Sequence, residues 1–215
     1  MPRNTHPNPA RDRILKAARG LFASRAYDGV SIGELAAAAQ VNRAMLYYYF
    51  RDKQDLYRQS IISVLDLIPA LWEREDLKRG APAERLDRYV VALWEALAEN
   101  REAMPMIMRE LASGGSEREL IFKRYLVPNA LFVGKLIEEG VQAGDFSAAP
   151  PLFATIALIS GIIMPNFGLA VGTPFVTEIS GSITEGREYL DFYRDYLRRA
   201  LSVPEGKGGD RGGLE

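Results

Sequence analysis

Apolar positions recur along this chain at intervals of three and four, and no run alternates in the manner of a strand. The pattern predicts helices over about 11–25, a short pair within 31–50, and a long one from Lys53 to Glu75 kinked at Pro69. Further helices are expected over about 82–99, 102–112, 116–143 with Pro128 inside, 151–170 and 183–201. Gly114-Gly115, Gly144-Asp145 and 172–181 supply loops, and Ser182 with Glu185 offers a capping box for the last helix. The expected fold is all-α: an N-terminal three-helix domain and a C-terminal helical bundle, about nine helices together. Four regions follow: an arm over 1–10, the small domain over 11–55, the larger one over 56–202, and a polar Gly-rich tail over 203–215.

The stretch from Ser31 to Phe50, SIGELAAAAQVNRAMLYYYF, reads as a helix-turn-helix. Ser31 and Glu34 have the spacing of a reciprocal capping box, and Asn42 is placed to cap the second helix. On that second helix Leu46 and Phe50 lie one turn apart and face inward, which puts Arg43, Ala44, Tyr47 and Tyr48 on the opposite side. A solvated face of Arg and Tyr needs a partner. Charge agrees: residues 1–60 hold ten Lys or Arg against five Asp or Glu, whereas the rest hold seventeen against twenty-three. A net charge of −1 therefore hides a positive N-terminal segment, the electrostatic footprint of a phosphate-binding module.

The segment AAQVNRAMLYYYFRDKQDLY, preceded by the helix-forming run Arg11 to Ala26 and by Tyr27-Asp28-Gly29-Val30-Ser31, resembles the DNA-binding domain of the TetR family of bacterial transcriptional repressors. The resemblance covers residues 11–57. It implies that Tyr47, Tyr48 and Tyr49 touch phosphates, sugars or base methyls, that Arg43 and Met45 reach base edges, and that Lys53 holds a phosphate. Ser31, Asn42 and Ala44 complete the expected DNA-binding set. Two positions depart from the family pattern. Gln40 stands at the turn position usually filled by Gly, at a cost of about 1–2 kcal/mol if the backbone is left-handed there. Gly33 has no side chain where some relatives make a second base contact, so reading is expected to concentrate on the recognition helix.

With 215 residues and 47% apolar content the chain can bury a substantial core. It has no cysteine, hence no disulfide or Cys-based zinc site. The single histidine, His6, lies in the arm, and no Gly-rich phosphate loop or metal-ligand cluster appears; neither an enzyme nor a cofactor or metal is expected. The N-terminus lacks the apolar core of a secretory signal, so a cytoplasmic location is expected. Phe146 to Thr177 contains no charged residue and mimics a membrane span, but Thr155, Ser160, Gly161, Pro165, Asn166 and Gly168 interrupt it. A helix covered on several sides within the protein is expected there, with Ser160 and Gly161 allowing close approach of another, and no membrane partner.

Expected partners are a double-stranded DNA operator, a small-molecule effector and a second copy of the chain. Trp72, Trp94, Met104, Met108, Phe122, Tyr125, Phe132 and Phe167 are candidates for an effector pocket between helices, with Arg109 and Glu110 able either to orient a polar ligand end or to meet solvent. Ile156, Ser160 and Ile163, with Leu190, Tyr193, Leu197 and Leu201 of the last helix, are candidates for the dimer interface. The Lys53–Glu75 helix would act as one rod touching DNA at one end and the larger domain at the other. The alternative function is a helical ligand-binding or interaction protein without DNA binding.

Overall fold

The computed structural model describes residues 8–147, 150–172 and 186–203, and every regular element among them is helical. His6, the Ser182–Glu185 cap and the tail from Pro204 lie outside the described residues. Helix α1 (Pro9–Ser24) starts where Asn8 accepts a hydrogen bond from the Arg11 amide at 3.2 Å, and it buries Ile14, Leu15, Ala18 and Phe22. Helices α2 (Ile32–Ala38) and α3 (Arg43–Tyr49) follow, then α4 (Lys53–Leu65), which packs along α1.

The expected rod from Lys53 to Glu75 is not continuous. It breaks at Asp66 into α4, α5 (Leu67–Trp72) and the short α6 (Glu75–Lys78). Pro69 is the physical cause, although the break lies one turn upstream of it. A proline lacks the amide that would bond the carbonyl four residues back, here Leu65, and its ring crowds that carbonyl. A similar effect splits the expected 116–143 helix. The turn before Pro128 widens into a π-helical segment, Phe122–Leu126, between α9 (Arg118–Ile121) and α10 (Val127–Ala143). The Asp66 carboxylate joins the two irregularities, accepting from the Tyr125 hydroxyl at 2.7 Å and from Arg124 at 2.9 Å.

The larger domain is completed by α7 (Pro82–Glu99), a 3-10 turn (Arg101–Ala103), α8 (Met104–Ser113), α11 (Pro151–Val171) and α12 (Gly186–Leu201). Helix α11 buries only one stripe, Thr155, Leu158, Ile162 and Asn166, against its neighbours. This corrects the expectation of a helix covered on several sides: within one chain Leu152, Phe153, Ile156 and Met164 remain exposed. It is long and apolar enough to cross a membrane by length and composition alone. Against it lies α12, packed so closely at Gly161 that a methyl group there would collide with the Tyr193 ring. Pro165 has no amide for the Gly161 carbonyl, and the Tyr189 hydroxyl donates to that oxygen instead at 2.8 Å.

Candidate functional site

The N-terminal face is built by caps. Ser31 Oγ accepts from the Glu34 amide at 3.2 Å while the Glu34 carboxylate accepts from the Ser31 amide at 2.9 Å, so the capping box forms in both directions. Hydrogen bonds from Arg25 and then from Ser31 hold the Glu34 carboxyl at about 2. The hydroxyl of Ser31 is thus engaged at the start of α2, and the Asn42 side chain is engaged at the start of α3, accepting from the Met45 amide at 2.8 Å. Asp52 caps α4, accepting from the Asp55 amide at 2.7 Å, which places Lys53 in the first turn.

Leu46 and Phe50 are buried beneath α3, and their opposite side carries Arg43, Ala44, Met45, Tyr47 and Tyr48 in solvent. Tyr48 is 80% exposed and Tyr47 54%, unusual values for aromatic rings and a sign of a surface that awaits a partner. Tyr49 is half-buried, edge-on to Tyr48 with centroids 4.9 Å apart. The Lys53 ammonium sits 4.1 Å from the centroid of Tyr27, a cation–π contact that holds it beside the end of α3. Gly33 has a role that the sequence does not reveal. A Cβ there would come within 2.9 Å of the Arg43 guanidinium, so the missing side chain makes room for the recognition-helix arginine. Gln40, between α2 and α3, has φ 54°, the one left-handed non-glycine among the described residues.

This face is clamped to the larger domain. Arg109 of α8 donates to the carbonyls of Phe22 at 2.8 Å, Arg25 at 2.9 Å and Ala23 at 3.0 Å. It thereby satisfies the end of α1, where no basic residue of α1 itself is available. Glu110, beside it, is buried, accepting from the Tyr57 hydroxyl at 2.8 Å and from the Glu117 amide at 2.6 Å. Glu117 in turn takes both ends of the Arg58 guanidinium, at 2.7 and 3.1 Å. Arg109 and Glu110 therefore hold α8 against α1 and α4. Nothing in their local sequence distinguishes them from an ordinary surface pair.

The expected effector residues fall into separate groups. Trp72 and Phe132 stack with centroids 6.2 Å apart beside Tyr89, and both Trp72 Nε1 and the Tyr89 hydroxyl donate to Asn129 Oδ1, at 3.2 and 2.7 Å. Sequence reasoning missed Tyr89 and Asn129, since only the fold brings their helices together. Trp94 is buried, stacked on Tyr189 at 5.3 Å; Met104 is buried, and Met108 and Phe167 are half-buried. Two of the candidates stand apart from these groups. Tyr125 is fully buried and committed to Asp66, while Phe122 lies outside with the Arg118 guanidinium 5.6 Å from its centroid. The π-helical turn shifts the angular register of this segment relative to a continuous α-helix.

The expected dimer residues also divide. Ile156 and Ser160 are exposed and Ile163 half-buried, whereas Leu190, Tyr193 and Leu201 are buried within their own chain. The Tyr193 hydroxyl donates to the Leu158 and Ala157 carbonyls of α11 at 2.9 and 3.0 Å. Leu197 is half-buried, lining a cavity of about 50 Å³ with Leu86, Val90 and Phe146. The periodic leucines of α12 are thus used to attach it to its own domain. What α12 offers outward is Phe192 and Tyr196, their rings stacked 6.4 Å apart, and α11 adds Phe153 and Ile156 to the exposed apolar surface.

A capped helix-turn-helix with an open aromatic and basic face, carried on an all-helical domain, defines the class of protein. The family described as bacterial regulatory proteins, tetR family, matches residues 14–59, and the one described as tetracyclin repressor-like, C-terminal domain, matches residues 79–164. The chain belongs to the TetR family. It is 31% identical over 138 residues to the HTH-type transcriptional repressor NicS of Pseudomonas putida, a stretch covering 62% of this chain and 63% of that protein. Over 157 residues it is 24% identical to YttP of Bacillus subtilis, a probable HTH-type transcriptional regulator, covering 72% and 76% of the two chains. Among solved structures, the ketosteroid transcriptional regulator KstR2 of Mycobacterium tuberculosis superposes with a TM-score of 0.74 at 17% identity, covering 93% of this chain and 98% of that one. PfmR of Thermus thermophilus, a TetR family transcriptional regulator, gives 0.72 at 23% identity, covering 92% and 100%. At these identities the two structures support the fold.

Proposed function

We propose that the protein is a transcriptional repressor of the TetR kind that binds a palindromic operator as a homodimer in the cytoplasm and leaves it when a mostly apolar small molecule enters the larger domain. The observation that carries this reading is the exposed row of Arg43, Met45, Tyr47 and Tyr48 on a helix fixed by buried Leu46 and Phe50. Its residue types suit the major groove: a guanidinium for guanine edges, methyl and aromatic groups for thymine methyls and sugars, and Lys53 for a phosphate. One short recognition helix spans only a few base pairs. Two copies related by a twofold axis would read half-sites about one helical turn or more apart. The exposed apolar surface of α11 and α12 suits such an isologous contact.

Release needs a ligand that binds the two states unequally, because equal affinity shifts nothing; a 99-to-1 reversal takes about 5.5 kcal/mol. The path would run through the Arg109 and Glu110 contacts, since they join α8 to α1 and α4. Selection of bound sequences from random duplexes tests the reading. An enriched inverted repeat, blurred by Arg43→Ala and preserved but weakly bound by Lys53→Ala, supports it; no enrichment contradicts it.

A further inference from the structure

Gly33 stands in the first turn of α2, where its backbone does not call for a glycine. It is not one of the left-handed glycines, and after proline glycine is the poorest helix former. What it provides is space. The three atoms that a Cβ there would meet first all belong to the guanidinium of Arg43: Nη2 at 2.9 Å, then Cζ and Nε at 3.7 Å each. Arg43, the first residue of α3, is therefore laid back across the opening turn of α2. The carboxylate of that turn is already engaged, since Glu34 accepts from Arg25 at 2.7 Å and from the Ser31 amide and hydroxyl at 2.9 and 2.8 Å. Arg43 remains exposed in this position.

We propose that Gly33 is a positioning residue for base reading: by leaving the space over α2 empty, it lets Arg43 present its guanidinium to a guanine on the α2 side of the recognition helix. The proposal rests on the DNA-reading function of α3 and assigns the direction in which its arginine reads. A guanidinium pairs with O6 and N7 of guanine through two parallel bonds, and such a pair discriminates only when the fork arrives in the plane of the base. An exposed arginine has several rotatable bonds, so its direction depends on the surface beside it, here the first turn of α2. A methyl group at position 33 would crowd Nη2, and because a guanidinium is the far end of a flexible side chain, it yields before the backbone does. The helix pair then keeps its geometry while the arginine points elsewhere. The consequence is selective: guanine preference is lost, whereas phosphate contacts, which come from other side chains such as Lys53, are kept.

The test is selection from random duplexes with the full chain and its Gly33→Ala and Arg43→Ala variants. The selected repeat is then titrated beside a copy carrying 7-deazaguanine, which lacks the N7 acceptor, at the pair that Arg43→Ala blurs. The expected result is that Gly33→Ala blurs the same pair and no other, its preference for guanine falling about fivefold or more while the salt dependence is unchanged. The wild type should lose affinity on 7-deazaguanine and Gly33→Ala should lose much less. In the Arg43→Ala background Gly33→Ala should add nothing, because the side chain it displaces is gone. The urea midpoint of Gly33→Ala should not fall below that of the wild type, alanine being the better helix former, which separates altered reading from unfolding. Gly33→Ser brings the same Cβ, should reproduce the loss, and carries the test if the alanine variant does not fold. Wild-type preference at every pair in Gly33→Ala, or an equal loss with and without Arg43, overturns the proposal. A repeat that the wild type enriches and Arg43→Ala leaves intact overturns it while DNA binding stands, and the absence of any enriched repeat overturns both.

Discussion

The Tyr57 hydroxyl donates to the buried Glu110 carboxylate at 2.8 Å, joining α4, which begins beside the recognition helix, to α8 of the larger domain. Burial first, and then the bond to Glu110, push the Tyr57 phenol well above its usual range, so it remains a neutral donor at physiological pH. Tyr57→Phe should leave that Glu110 oxygen without its donor and cost about 1–3 kcal/mol in urea unfolding. Because Tyr57 is remote from the exposed face of α3, sequence preference should be unchanged while the effector response is reduced. A wild-type response would show that this bond is not on the path.

Gln40 occupies a left-handed conformation at φ 54°. Gln40→Gly should relieve the Cβ strain, offset in part by the freer unfolded chain, for a net gain of about 1 kcal/mol. Chemical denaturation measures it, and operator affinity should not change.

Acid should loosen α12 through Asp87. Two bonds from Arg194, at 2.6 and 2.9 Å, and one from Arg198 at 3.2 Å lower its pKa, the Arg194 contact contributing most. A carboxyl whose folded pKa is depressed contributes stability above its unfolded value, about 3.9, and loses it as pH falls toward the folded one. Asp87→Asn should therefore be less stable than the wild type at neutral pH and lose less on going from about pH 5 to pH 2. Thermal melts across that range provide the check.

Assembly and folding should separate on α12. Phe192→Glu combined with Tyr196→Glu changes outward-facing rings and should give a folded monomer in sedimentation. Leu190→Ala opens the chain's own core and should cost about 2–5 kcal/mol of stability. If the double variant remains dimeric, the interface lies elsewhere.

Much of this architecture was legible in the chain. The capping box at Ser31 and Glu34, the inward pair Leu46 and Phe50, and the left-handed strain at Gln40 are local matters of spacing and backbone preference. Legibility fell where one helix meets another. The leucine row of α12 announced an apolar face without saying whether its own chain or a second copy covers it. Pro69 announced a disturbance, while its steric effect on the carbonyl four residues back moved the break to Asp66. The long-range partners of Arg109, Glu110 and Asn129 carry no sequence signal, because long stretches of folding chain intervene before they meet.

In the proposed function the α3 face reads DNA as one half of a dimer. The most direct measurement is titration of a fluorescent duplex carrying the selected inverted repeat, with a scrambled control, at several salt concentrations. The expected result is two chains per simple repeat, clear preference over the control, and affinity that falls steeply as salt rises through counterion release. Lys53→Ala should flatten that slope by about one unit, and Arg43→Ala should lose about 1–3 kcal/mol of preference with little change in slope. Equal affinity for repeat and control, with no dependence on salt or on either side chain, would contradict the account.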